Sequence, residues 1–123
     1  MTHELTLNAY QEKAMTTCMD SCDNVSYMLL NLVAEVGEFA GKLAKAIRKG
    51  HIKIDNNHLY VLNNEIEDEL LCALKGEAGD IMWQLCGLIQ VLGWTAEDVG
   101  IDNIDKLASR KRRGVIDGNG DNR

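Results

Sequence analysis

The 123-residue sequence contains no proline, and aromatic residues make up only 5% of it. Sheets are enriched in aromatic and β-branched residues, whereas Leu, Ala, Glu, Lys and Met, which are abundant here, favour helices. A hydrophobic fraction of 46% beside a charged fraction of 26% excludes a disordered chain. We therefore expect an all-α globular protein, and the length allows one domain with a real core.

The chain also lacks the run of about 20 apolar residues that a bilayer crossing requires. Its first residues, MTHELTLNAY, lack the basic and apolar segments of a signal peptide. We expect a cytoplasmic protein without a membrane partner, whose four cysteines are reduced. The absence of a CxxC motif argues against structural zinc, and a net charge of −6 argues against a nucleic-acid partner bound by charge alone.

The spacing of apolar residues predicts four helical stretches, at residues 8–19, 26–49, 59–92 and 95–113. Thr95 has a capping-box spacing to Asp98, which marks the start of the last helix. The third stretch is expected to break or kink near residues 75–79, and residues 51–58 are predicted to be a loop rather than a strand. The prediction is a bundle of four to five helices over residues 1–113, followed by a flexible, glycine-rich C-terminal tail at residues 114–123.

The second helix carries two glutamates in a crowded setting. In AEVGEFAGK (34–42), Glu35 and Glu38 lie three residues apart, on one edge of the helix. Large apolar residues form a second strip, and small residues, including Gly37 and Gly41, form a third that would let another backbone approach closely. We therefore expect partly buried carboxylates, which are rare unless they are paired or bound to a metal.

GEAGDIMWQL (76–85) repeats this spacing with Glu77 and Asp80. Carboxylates brought inward by two helices repel one another, and a hard divalent cation offsets that repulsion. An all-oxygen ligand set suits Mg²⁺, with Mn²⁺ as a substitute. A single ExxE pair is more often a solvated helix edge than a metal site, so the hypothesis depends on the two pairs together. No histidine lies in either motif, which disfavours a di-iron centre.

These two motifs, with NAYQEKAMTT near the start and NIDKLASRKRRG (103–114) near the end, resemble the MazG-like all-α nucleotide pyrophosphohydrolases. The metal signature of that family is ExxE on one helix and ExxD on a later one. The resemblance implies Mg²⁺-dependent hydrolysis of a nucleoside triphosphate between the α and β phosphates. The products would be the monophosphate and pyrophosphate, and the role would be housecleaning of the nucleotide pool. Ala34 departs from the fuller family motif, which has glutamate there.

The resemblance also implies roles for individual residues. The implied Mg²⁺ ligands are Glu35, Glu38, Glu77 and Asp80. The implied contacts of the nucleotide or its phosphates are Asn103, Lys106 and Arg110.

Four side chains have further candidate roles. Glu38 is our choice of catalytic residue, accepting a proton from the attacking water. Lys42, one turn after Glu38, either pairs with a carboxylate or reaches a phosphate, and pairing is the more ordinary role. Tyr10 and Trp83 are candidates for stacking on the base, although such residues more often serve in packing.

The basic run RKRR (110–113) is favoured by the dipole of a helix C-terminus and need not bind nucleic acid. A second hypothesis concerns the tail, which would fold over bound nucleotide together with Arg113. Deletion of residues 115–123 would then raise the Michaelis constant.

Two other classes of function stay open from the sequence. One is a non-catalytic helical adaptor with a vestigial carboxylate site, and the other is a helical carboxylate protein with a redox metal. Pyrophosphate release with and without Mg²⁺ separates them. A chain this small, with a strip of small residues, is expected to complete its core as a homodimer or homotetramer, with the site near the interface.

Overall fold

The computed structural model describes residues 4–62 and 64–123 and is mainly helical, which confirms the predicted fold class. A 3₁₀ turn at Asp20–Cys22 precedes the second helix. The other elements, in chain order, are α1 (Leu7–Met15), α2 (Val25–Arg48), β1 (Ile52–Asp55), β2 (His58–Val61), α3 (Asn64–Val91) and α4 (Ala96–Arg113).

The two long helices, α2 and α3, form the main interface of the fold. They run antiparallel, because Asn31 near the start of α2 bonds Gln84 near the end of α3, while Lys42 further along α2 pairs with Glu77. Met28 is fully buried, and Leu74 is nearly so. The carboxylate motifs of the two helices are therefore at the same level of the bundle.

A polar anchor holds α1 against the junction of α3 and α4. The side chain of Gln11, only 5% exposed, donates to Gln90 Oε1 at 2.7 Å and to the Trp94 carbonyl at 3.1 Å. Its Oε1 accepts from the Ala96 amide at 2.6 Å, which satisfies one of the free donors at the start of α4. One buried glutamine thus fixes three helices relative to one another.

The expectation of a strandless loop at residues 51–58 was wrong, since β1 and β2 form an antiparallel hairpin. Asp55 pairs with His58, so Asn56 and Asn57 alone make the turn, with φ of 50° and 64°. A two-residue turn with positive φ at both positions matches the natural twist of a hairpin, and asparagine tolerates that conformation. Ile52, 2% exposed, anchors the hairpin to the helices.

The third helix also differs from the prediction. It begins at Asn64 rather than near residue 59, because the second strand occupies the preceding residues. The expected break near residues 75–79 is not present, and α3 continues through Gly76 and Gly79 to Val91. Packing along α2 and α1 stabilises this helix beyond the local cost of about 1 kcal/mol for each glycine.

The last helix starts where the capping pattern predicts. Thr95 accepts a hydrogen bond from the Asp98 amide at 3.2 Å, and α4 ends at Arg113, before Gly114 in the left-handed conformation. None of the helices in the described part of the chain has an apolar stretch of the length and hydrophobicity needed to cross a membrane.

The face that α2 turns toward the core coincides only in part with the apolar stripe that its spacing suggested, since Leu32, Phe39 and Leu43 of that stripe are partly buried. Leu29 and Val36 are each 49% exposed, and a side chain at Gly37 or Gly41 would meet no atom within 4 Å. Met28, one position away from Leu29, is the buried residue instead. Among the described residues, no other backbone therefore approaches Gly37 or Gly41 as closely as expected, and an apolar face of α2 is open.

Candidate metal centre

Three carboxylates from the two central helices meet at one point. Glu35 on α2 and Glu77 and Asp80 on α3 each offer an oxygen, and these oxygens lie within 4.8 Å of one another. The three-residue spacing of Glu77 and Asp80 puts both on the edge of α3 that faces Glu35. Glu35 and Glu77 are partly buried, whereas Asp80 is exposed, so the cluster opens to solvent on the Asp80 side.

Two oxygens in this cluster have unsatisfied bonding capacity. Glu35 Oε2 and Glu77 Oε2 are both buried and have no hydrogen-bond partner among the described residues. Burial raises the pKa of the Glu35 carboxyl, and the charges of Glu38, Asp80 and Glu77 raise it further. A hard divalent cation would satisfy both orphaned oxygens and offset the repulsion, and an oxygen-only donor set is the one that Mg²⁺ or Mn²⁺ prefers. The residues present therefore fit such a metal ion.

Glu38 lies at the margin of this cluster. It is exposed and is outside the group of three whose oxygens approach one another. Its charge nevertheless contributes to the raised pKa of Glu35, which places it beside the cluster. Its predicted roles as ligand and proton acceptor stay predictions.

Two amide side chains support Glu35 and were not predicted as site residues. Asn31 Nδ2 lies 3.5 Å from Glu35 Oε1 and donates to Gln84 Oε1 at 2.7 Å. Gln84 is only 2% exposed, and its Nε2 donates to the sulfur of Met28 at 3.3 Å. The sequence spacing did indicate that both amides lie on the carboxylate edges of their helices, because Asn31 is one helical turn before Glu35 and Gln84 one turn after Asp80. That Asn31 and Gln84 bond each other across the interface could not be predicted from either helix alone.

Lys42 connects the carboxylates to a basic cavity. Its Nζ lies 3.5 Å from Glu77 Oε1, as expected for the pairing role. The same lysine lines a cavity of about 280 Å³ between α2 and α3, together with Lys45, Lys49 and His51. One negative residue, Glu69, also lines this cavity, so positive charge dominates the wall next to the carboxylate cluster.

The two aromatic candidates have different surroundings. Tyr10 is partly buried, and its pKa is raised by burial and then by the charges of Cys86 and Asp80, so Tyr10 lies within electrostatic reach of one of the three carboxylates. Trp83 donates its indole N–H to the Ala14 carbonyl at 3.1 Å and lies 2.9 Å from Thr17 Oγ1. The N–H edge of Trp83 is therefore engaged by the end of α1, which matches the packing alternative.

The three residues predicted on α4 have two environments, and Lys106 belongs to both, since its Nζ also lies 3.4 Å from Asp121 Oδ1. Asn103 and Lys106 line a cavity of about 380 Å³ with Trp94 and Asp98. Arg110 is buried, 5% exposed, and its Nη2 donates to the Asp121 carboxylate at 2.9 Å. Within residues 4–62 and 64–123, no hydrogen bond or ion pair links these three side chains to Glu35, Glu77 or Asp80.

Comparison with known proteins assigns the chain to a family. Residues 24–115 match the model of the MazG nucleotide pyrophosphohydrolase domain, and this range contains both carboxylate motifs and all of α4. The chain belongs to the MazG family. The matched MazG region leaves out α1, which carries Gln11, and residues 116–123 at the C-terminus.

A phage protein is similar to this MazG chain over most of its length. The "Gene 37 protein" of Mycobacterium phage L5 is 39% identical over 104 residues, which covers 85% of this chain and 81% of the phage protein. The name of the phage protein states no activity. No solved structure matches this MazG chain.

All four cysteines of the chain carry free thiols.

Proposed function

We propose that this MazG protein is a Mg²⁺-dependent hydrolase of nucleoside triphosphates. It would cleave between the α and β phosphates, release the monophosphate and pyrophosphate, and act in the cytoplasm to clear unwanted nucleotides. The observation that carries the proposal is the convergence of Glu35, Glu77 and Asp80, with two buried carboxylate oxygens that have no partner. The family membership supports the hydrolase class, and the cluster supports the metal.

Glu35, Glu77 and Asp80 are the proposed metal ligands. Glu38, an exposed residue on the same edge of α2 as Glu35, is the proposed fourth ligand. A bound Mg²⁺ supplies charge neutralisation for the phosphates and lowers the pKa of coordinated water. Phosphoryl transfer demands mainly positioning and charge stabilisation, so the protein's contribution is a rigid carboxylate frame. Asn31 and Gln84 provide that rigidity on the Glu35 side, through a hydrogen bond that crosses the helix interface.

The remaining side chains handle protons and negative charge. We assign Glu38 to accept the proton of the attacking water, because its exposure lets it exchange that proton with solvent. Lys42 sits between Glu77 and the basic cavity, where it balances the carboxylate before substrate binds and faces the phosphates afterwards. Tyr10, beside Asp80, is the better of the two aromatic candidates for contact with the nucleotide.

Asn103, Lys106 and Arg110 are the proposed phosphate contacts, yet the ion pairs of Lys106 and Arg110 are with Asp121 and not with Glu35, Glu77 or Asp80. We propose that a second copy of the chain brings α4 to the metal cluster. The open apolar face of α2 supports oligomerisation, since Leu30 and Val33 are 71% and 67% exposed on the same helix as Glu35. Contiguous exposed apolar surface of this kind usually marks an interface.

The test is the identity of the products. Purified protein is incubated with a panel of ribo- and deoxyribonucleoside triphosphates and Mg²⁺, and the phosphorus products are resolved by ³¹P NMR. The proposal expects monophosphate and pyrophosphate in equal amounts from at least one nucleotide. Diphosphate and orthophosphate would place the cleavage at the β–γ bond, and no product from any nucleotide would favour the adaptor alternative.

A further inference from the structure

The C-terminal segment lies back along α4 instead of extending from it. Gly114 reverses the chain with φ of 69°, and residues 115–123, which we call the strap, return toward Arg110 and Lys106. Arg113 Nη2 donates to the main-chain oxygen of Arg123 at 2.7 Å, which ties Arg123 to the last turn of α4.

The side chain of Arg123 closes the strap on itself. Its guanidinium donates to the carbonyls of Val115, at 2.9 Å, and Ile116, at 3.2 Å, and also to the carbonyl of Gly120. The closure requires small residues, because a side chain at Gly118 would overlap Arg123 and Gly120 has φ of 76°. The strap therefore has a defined shape, with Asp121 held over the two cations.

The Asp121 carboxylate contacts two basic side chains of α4, as a bound anion would. Its Oδ1 lies 2.9 Å from Arg110 Nη2 and 3.4 Å from Lys106 Nζ, and its carbonyl accepts from Arg110 Nη2 at 3.2 Å. These hydrogen bonds hold the pKa of the Asp121 carboxyl below its usual range. The Asp121 side chain is nevertheless 80% exposed, so solvent or a competing anion reaches it directly.

Arg110 retains a buried, unsatisfied donor in this arrangement. Its side chain is 6% exposed, and its buried Nε has no hydrogen-bond partner among the described residues. A guanidinium binds a phosphate best through two parallel N–H groups, and Nε with Nη2 forms one such pair. Asp121 engages Nη2 and leaves Nε free, so a phosphate would make a more complete contact at this position.

We propose that the strap is an autoinhibitory segment, in which the Asp121 carboxylate occupies the anion site of Lys106 and Arg110 until a phosphate displaces it. This inference rests on the proposed function, because it takes these two cations as phosphate contacts. It reverses the effect expected of the tail from sequence: removal of residues 115–123 is now expected to lower the Michaelis constant, since a competitor is removed.

The test uses inorganic pyrophosphate with Mg²⁺ as the probe and titration calorimetry on the full chain. Asp121→Asn keeps the size of the side chain and removes its charge. Asp117→Asn is the matched control, since Asp117 is an exposed residue of the same strap. The proposal expects Asp121→Asn to tighten pyrophosphate binding by about five-fold, the scale of an exposed ion pair, and Asp117→Asn to leave it unchanged. Equal tightening in both variants, or unchanged or weaker binding in Asp121→Asn, would overturn it.

A second variant shows where the effect arises. Asp121→Asn is introduced into a Lys106→Ala protein. The gain in pyrophosphate affinity caused by Asp121→Asn should be smaller there than in wild type, because one of the two cations that Asp121 neutralises is gone. An undiminished gain would overturn the assignment of the site. The calorimetry needs no turnover, so tighter binding in a protein that hydrolyses no nucleotide would uphold the strap and reject the proposed function. Nucleotide hydrolysis by the protein, with unchanged pyrophosphate binding in Asp121→Asn, would uphold the proposed function and reject the autoinhibitory strap.

Discussion

Asn31 on α2 and Gln84 on α3 share a hydrogen bond of 2.7 Å beside the three carboxylates. Gln84 is nearly inaccessible, and Asn31 also reaches toward Glu35, so this pair couples the packing of the two long helices to the position of one proposed ligand. Removal of Asn31 leaves the buried Gln84 without this partner, and removal of Gln84 does the same to the partly buried Asn31, which is the costly way to break such a hydrogen bond.

We therefore expect Asn31→Ala and Gln84→Met each to lower the free energy of unfolding by about 1–3 kcal/mol. The double variant should lose less than the sum, with a coupling of about 1 kcal/mol between the two sites. Urea denaturation of the four proteins measures this coupling. Additive losses would mean that the hydrogen bond does not hold α2 to α3.

Divalent metal should stabilise the fold through the carboxylate cluster. At a Mg²⁺ concentration of 100 times its dissociation constant, binding to the folded state alone adds about 2.7 kcal/mol to the free energy of unfolding. Glu77→Gln should remove most of this gain. Asp68→Asn, an exposed change on the same helix, should keep it. Thermal unfolding of each protein in Mg²⁺ and in EDTA measures the stabilisation by the metal. Equal stabilisation of wild type and Glu77→Gln by Mg²⁺ would contradict the assigned site.

The raised pKa of Glu35 predicts a pH dependence in metal-free protein. A carboxyl whose pKa is raised by folding binds its proton more readily in the folded state, so it disfavours folding when charged and this penalty disappears as the pH falls. Glu35→Gln should therefore exceed wild type in stability at pH 7 to 8. The difference should shrink toward the ordinary glutamate pKa of 4.5. Urea denaturation in EDTA from pH 8 to pH 5 follows this difference, and a gap that widened on acidification would have the wrong sign.

The apolar face of α2 should mediate self-association. A monomer has a mass of 13.7 kDa, and we expect light scattering to give at least twice that value at micromolar concentration. Val33→Asp should shift the protein toward the monomer, because it places a charge within the exposed apolar face. Ile54→Asp is the control, since Ile54 is 57% exposed but lies on the hairpin. A wild-type monomer would remove the proposed route by which α4 reaches the metal cluster.

The carboxylates were predictable from sequence because their geometry is local. A spacing of three residues puts Glu77 and Asp80 on one edge of α3 in any helix, and the same holds for Glu35 and Glu38 on α2. How deep each side chain lies depends on the rotation of α2 against α3, which the sequence does not specify. That rotation buries Met28, exposes Leu29 and leaves Glu38 outside the group of three.

Other features depended on chemistry that the apolar spacing does not register. The hairpin follows from the preference of Asn56 and Asn57 for a tight turn. Asparagines are equally common in irregular polar loops, so their presence in the sequence did not distinguish the hairpin from a loop. The contact between Arg110 and Asp121 joins residues on the two sides of a chain reversal, and the sequence does not distinguish Asp121 from the other acids near it as the partner of Arg110. In the second case the fold of the chain, and not the local sequence, decided which acid Arg110 meets.

The central claim is tested most directly by one assay of pyrophosphate release. Wild type, Glu35→Gln and Asp68→Asn are supplied with the preferred triphosphate, with and without Mg²⁺. The account predicts release by wild type and Asp68→Asn only when Mg²⁺ is present, and a loss of at least about 100-fold in Glu35→Gln, comparable to removal of a group that stabilises the transition-state charge. Release that persists in EDTA, or full activity in Glu35→Gln, would contradict it.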